Sequence, residues 1–148
     1  MALVAAGIAN RGEILAPRVV DEVRTVDDVL SDPGPETWRR SMSATSAATL
    51  RELMSVVANE GTARGVLPPG VTGGAKTGTA QLASDAADTN AWIIGFAPLE
   101  APQVAFAVIV EGAEGTGQQT GGGTAAPIAN AVLTAALDAG LLTPTPEG

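Results

Sequence analysis

Lys76 is the only lysine among eight basic residues, and it lies in the run Val71-Thr-Gly-Gly-Ala-Lys-Thr-Gly-Thr-Ala80. Glycines at 73, 74 and 78 strip side-chain bulk from this backbone, so an extended peptide can lie alongside it and pair through main-chain hydrogen bonds. The hydroxyls of Thr77 and Thr79 can bond a carboxylate on such a peptide, and the Lys76 ammonium adds a fixed positive charge. Lys76, Thr77, Gly78 and Thr79 are therefore the candidate substrate-binding residues. The plain alternative is an ordinary solvated lysine.

Other chemistries fit less well. A phosphate-binding loop needs glycine directly before the lysine and a helix after it, whereas Ala75 precedes Lys76 and the following residues read as strand. With no cysteine and no histidine, the chain has no disulfides, no thiol or imidazole metal ligands and no histidine acid or base. Asp85 and Asp88 begin no calcium-ligand series, so neither a metal nor a cofactor is expected. A net charge of -8 and a pI near 4.3 argue against nucleic acid or an anionic membrane surface as a partner. Trp38, Trp92, Phe96 and Phe106 are spread over separate segments and read as packing residues, not a stacking platform.

These residues need elements to hold them, and 148 residues at 45% hydrophobic content suffice for one domain. Met1–Ala9 reads as an apolar helix with no capping residue ahead of it, which suggests that the element begins upstream; Asn10–Gly12 stops it. No basic region precedes it, so it does not read as a signal peptide. Glu13–Val23 reads as extended and Thr25–Arg40 as a loop or small hairpin with a turn at Asp32-Pro-Gly-Pro35. The spacing predicts a helix capped by Ser46 that turns Leu50, Leu53, Met54 and Val57 inward and Arg51, Glu52 and Glu60 to solvent, ending at Gly61.

After the turn Leu67-Pro-Pro-Gly70 come the glycine-rich strand, a connection over Ala83–Asn90, and two apolar strands, Asn90–Pro98 and Val104–Glu111. Pro98, Glu100 and Pro102 break this apolar stretch, which therefore does not read as a membrane span. Gly112–Gly123 is expected to be a flexible connector. Thr124 is expected to cap a last helix running to Ala139, with Ile128, Ala131, Val132, Ala135 and Ala139 lying across the sheet. The expected architecture is α+β, an antiparallel sheet covered by helices, with a domain over residues 1–140 and a disordered tail over 141–148.

Lys76-Thr-Gly-Thr79 resembles the third active-site motif of penicillin-binding proteins and serine β-lactamases. The two strands after it, Met1–Gly12, Glu60-Gly-Thr-Ala-Arg64 and Gly121-Gly-Gly-Thr-Ala-Ala-Pro127 also resemble segments of class B penicillin-binding transpeptidases, so the likeness runs from Met1 to about Ala139. The resemblance implies the C-terminal part of a transpeptidase domain that cross-links peptidoglycan stem peptides through their D-Ala-D-Ala ends and is acylated by β-lactams. It implies catalytic parts for Lys76, facing the nucleophile's proton network, and for Thr79, whose backbone NH is an oxyanion donor.

It also implies work outside the cytoplasmic membrane behind an N-terminal anchor, although this chain shows neither signal nor spanning segment. The family's Ser-x-x-Lys is absent, because Gly73 stands three residues before the only lysine, and no serine begins a Ser-x-Asn. The missing N-terminal half of the domain is thus an expected partner and the chain is expected to be inactive alone. The alternative is a non-catalytic module that holds a peptide carboxylate on the same strand.

Overall fold

Two apolar runs joined by a short turn satisfy their backbone groups by pairing with each other. In the computed structural model, which describes residues 1–32, 34–82, 88–115 and 117–144, β6 (Thr89–Ala97) and β7 (Val104–Val110) are antiparallel neighbours, with Ile93 opposite Val108 and Gly95 opposite Phe106. β5 (Gly74–Gln81) pairs antiparallel with the other side of β6, placing Lys76 opposite Ile94 and Gly78 opposite Trp92. The order β5-β6-β7 leaves β5 and β7 as the edges of this sheet among the described residues.

Helices cover both faces. On one face, α3 (Ala126–Asp138) buries Ala126, Ala129 and Leu133 in a cluster with Ala75, Ala91, Ile93 and Phe106 of the sheet. On the other, α1 (Ala2–Ala9) and α2 (Ala44–Asn59) bring Ile8, Ala9 and Met54 against Phe96. Ile93, Phe96 and Leu133 are each at most 1% exposed, and burying a side chain of this size contributes about 1.5–3 kcal/mol. Among the described residues, four short strands occupy the segment between α1 and α2. β1 (Glu13–Leu15) pairs with β4 (Thr37–Arg40), and β2 (Val23–Arg24) with β3 (Val29–Ser31), both antiparallel. The turn out of α1 needs its glycine: Gly12 has φ +89°, and a Cβ there would overlap the Met42 carbonyl oxygen.

Several local expectations change. The cap of α2 is Ser43, whose side chain accepts from the Ser46 NH at 3.0 Å, while the Ser46 hydroxyl bonds the Ser43 hydroxyl. The buried face of α2 holds Ala47, Met54 and Ala58, and Leu50 and Leu53 point outward, because alanine permits closer approach to β5 than leucine. Arg51 leaves the expected solvated face. Its guanidinium donates to the Leu99 carbonyl and lies 6.0 Å above the Phe96 ring, tying α2 to the β6–β7 turn.

α3 is likewise rotated from the expected stripe. Ile128 and Val132 are exposed, and the small residues Ala126 and Ala129 sit on the sheet. Asn130 fixes that rotation by donating to the carbonyls of Gly65 and Val66 at 3.1 and 3.3 Å.

The expected flexible connector is pinned from 22 to 30 residues away. The Asp88 carboxylate accepts from the Gly115 and Gly117 NH groups at 3.0 and 2.7 Å. The Thr89 hydroxyl exchanges hydrogen bonds with the Gln119 backbone, and Asn90 accepts from the Gly112 NH. The cap near Thr124 moves to Thr120, which accepts from the Gly123 NH at the start of a π-helical turn, Gly121–Ala125, that leads into α3.

The packed chain also runs past the expected boundary at residue 140. Leu142 is buried, and Thr143 makes two hydrogen bonds with the Gln103 side chain. Of the expected tail, residues 145–148 lie outside the described residues, as do Pro33 of the early turn, Thr116 of the connector, and 83–87, which include Asp85.

Candidate functional site

Side chains alternate across a strand, so four successive residues cannot all face one way. On β5, Lys76 and Gly78 share a face with their partners Ile94 and Trp92, toward α1 and α2. Thr77 and Thr79 share the opposite face with Ile93 and Ala91, toward α3. The four candidate residues are therefore not gathered on one wall. What they have in common is the strand's outer edge, which no other described strand covers. Lys76 and Thr79 are exposed there, and Thr77 and Gly78 are partly buried.

On the first face a cavity of about 400 Å³ opens beside the motif, lined by Met1, Lys76, Thr77, Gly78, Trp92 and Ile94. Lys76 donates from Nζ to the Thr77 carbonyl at 2.6 Å. Gly78 keeps the strand flat against Trp92, whose Cβ would lie 3.2 Å from any Cβ at position 78. On the second face the Thr77 and Thr62 hydroxyl oxygens are 2.6 Å apart. A larger groove of about 1100 Å³ lies between α1, β1 and the β6–β7 turn, with Arg11, Glu13, Arg40, Arg51 and Glu100 on its walls. No motif residue lines it, so the smaller cavity and the β5 edge form the candidate site.

This arrangement can hold an extended peptide along β5 by its main chain, with one cation and two hydroxyls within a few residues of each other. Among the described residues no cluster of three or more aspartates or glutamates is placed to hold a metal ion. Sequence reasoning did not single out Thr62 or Trp92 as parts of this site, nor Gly121 and Gly122, which pack against the carbonyls of Trp92 and Thr62. The glycine triplet ahead of the last helix was the signal for two of them, since consecutive glycines at a helix start permit backbone-to-backbone contact.

A family model described as the penicillin binding protein transpeptidase domain matches residues 1–134. The chain is 42% identical to the peptidoglycan D,D-transpeptidase PbpA of Mycolicibacterium smegmatis over 142 residues, 94% of this chain and 29% of that protein. The structure of penicillin-binding protein A from Mycobacterium tuberculosis as a ceftriaxone acyl-enzyme superposes with a TM-score of 0.76 at 40% identity, covering 92% of this chain and 31% of that one. The D,D-transpeptidase domain of a peptidoglycan glycosyltransferase from Eggerthella lenta gives a TM-score of 0.75 at 31% identity, over 95% of this chain and 32% of that one. The chain thus spans under a third of the length of each of these relatives.

Proposed function

The chain belongs to the penicillin-binding protein transpeptidase family, and we propose that it is the C-terminal portion of a D,D-transpeptidase that cross-links peptidoglycan stem peptides. It supplies the substrate-cradling strand and not the nucleophile. The observation that supports this reading is the β5 edge, covered by no other described strand and bearing Lys76, Thr77, Gly78 and Thr79.

A stem peptide ending in D-Ala-D-Ala adds as a strand along β5, and its terminal carboxylate takes hydrogen bonds from Thr77 and Thr79 beside the Lys76 charge. A serine from the N-terminal part of the domain, the partner absent from this chain, attacks the penultimate D-alanine carbonyl. The Thr79 backbone NH stabilises the developing oxyanion together with the NH of that serine; one such donor is typically worth about a hundred- to a thousandfold in rate. The peptide bond to the terminal D-alanine breaks, that residue leaves as the free amino acid, and the acyl-serine ester passes its acyl group to an amine of a second stem. β-Lactams stop the sequence at the ester.

Residues 1–140 are this chain's share of the domain, with Leu142 and Thr143 packed beyond them, and the reaction takes place outside the cytoplasmic membrane. Among the described residues no helix is long and apolar enough to cross a membrane.

Two experiments test the reading. The coding DNA upstream of Met1, read in frame, is expected to contain Ser-x-x-Lys followed by Ser-x-Asn; a stop codon or unrelated sequence there favours a binding module that holds a peptide carboxylate without chemistry. Intact-mass measurement of the purified chain after incubation with penicillin should show no adduct, and a covalent adduct on this chain alone would contradict the assignment of the nucleophile elsewhere.

A further inference from the structure

Thr77 is held by two segments that are far from it in sequence. Its hydroxyl oxygen lies 2.6 Å from that of Thr62, in the loop after α2, and either can donate. Behind it, the π turn presses bare backbone onto the sheet. A Cβ on Gly121 would overlap the Trp92 carbonyl oxygen and fall 2.8 Å from the Thr77 Cβ and 3.0 Å from the Gly78 nitrogen. A Cβ on Gly122 would overlap the Thr62 carbonyl oxygen. The two glycines therefore let the loop at 62, the strand at 77 and the turn at 121–125 meet with no side chain between them, which fixes Thr62 against Thr77.

We propose that Thr62 is a positioning residue that aims the Thr77 hydroxyl at the substrate carboxylate, an inference that rests on the reading of β5 as the substrate-binding strand. Only one proton can lie between the two oxygens. A carboxylate accepts hydrogen bonds and donates none, so it requires the Thr77 proton to point outward. That orientation is satisfied when Thr62 donates to Thr77 and Thr77 donates onward. In the opposite orientation the carboxylate meets oxygen lone pairs. A hydroxyl that accepts one hydrogen bond is also a stronger donor in the next, so Thr62 both orients and polarises Thr77. Thr62 itself does not touch the substrate.

The test uses the protein expressed from its full coding sequence. Acylation is followed with a penicillin bearing its free carboxylate and with the methyl ester of the same compound, separating the non-covalent dissociation constant from the acylation rate at saturation. Thr62→Val keeps the shape and removes the donor. It is expected to weaken binding of the free acid by about tenfold, the scale of one hydrogen bond to a charged group, and to leave the ester unchanged, while Thr62→Ser restores the acid.

Equal changes in acid and ester, or none in either, would overturn the proposal, since a general structural role does not distinguish the two ligands. Should the valine variant fail to fold, Thr62→Ala carries the same expectation, and a wild-type ratio of acid to ester binding in that variant overturns it. Failure of the unsubstituted protein to be acylated at all would instead remove the transpeptidase reading beneath it.

Discussion

Lys76 turns its ammonium back onto the Thr77 carbonyl oxygen at 2.6 Å, so a bound carboxylate competes with a main-chain acceptor for that charge. Replacing it removes a charge-assisted contact and nothing from the core, because Lys76 is exposed. Lys76→Ala in the full protein is expected to weaken penicillin binding by roughly ten- to a hundredfold without lowering the melting temperature; unchanged acylation kinetics would remove Lys76 from the site. Gly121 behaves in the opposite way. It is buried, and a methyl group there meets backbone of β5 and β6, so Gly121→Ala should cost about 1–3 kcal/mol of stability. Gly123 is exposed and its nearest obstacle is the Thr120 hydroxyl, so Gly123→Ala is the matched control, and equal melting temperatures for the two variants would refute the contact.

The elements show what long-range hydrogen bonding adds to local pattern. Asp88 receives two glycine NH groups of the connector, and Asp88→Ala should release that segment with a loss of about 1.5–3 kcal/mol. Hydrogen exchange at Gly115 and Gly117 reads this directly, and protection that survives the substitution would show the clamp to be idle. This clamp was illegible in the sequence, because nothing local to Gly112–Gly123 announces a carboxylate from the residue just before β6. The strands themselves were legible: continuous apolar runs broken by Pro98, Glu100 and Pro102 have no other way to bury both faces. The motif was legible as a set of residue types, but not the division of Lys76 and Thr77 between two faces, which follows from pairing with β6. The inward stripe was misread on α3 and, apart from the buried Met54 and partly buried Val57, on α2, for one reason. A periodicity of large apolar residues points outward when the inward positions are alanines, and Ala47, Ala58, Ala126 and Ala129 hold those positions here.

At the scale of the whole molecule, that rotation leaves Leu50, Leu53 and Val56 exposed on α2, and Leu3 and Val4 of α1, with Met1 ahead of it, are exposed as well. β7 presents a seven-residue edge, Val104–Val110, without charge or proline to blunt it. Such surfaces bind something or associate, and in a chain spanning 29% of its M. smegmatis relative the remainder of the domain is the occupant our functional reading assigns. The isolated chain is therefore expected to self-associate with rising concentration in sedimentation experiments. Leu53→Lys should reduce that tendency while leaving the melting temperature within about 0.5 kcal/mol equivalent; a large loss of stability would mean that Leu53 is already packed. The glycine contact at Gly121 has a practical use of another kind. It links the motif strand to α3, whose Ile128 and Val132 face solvent, and the chain has no cysteine of its own. A single cysteine introduced at position 128 would accept a fluorophore at one place only, turning the last helix into a reporter of what the β5 edge has bound.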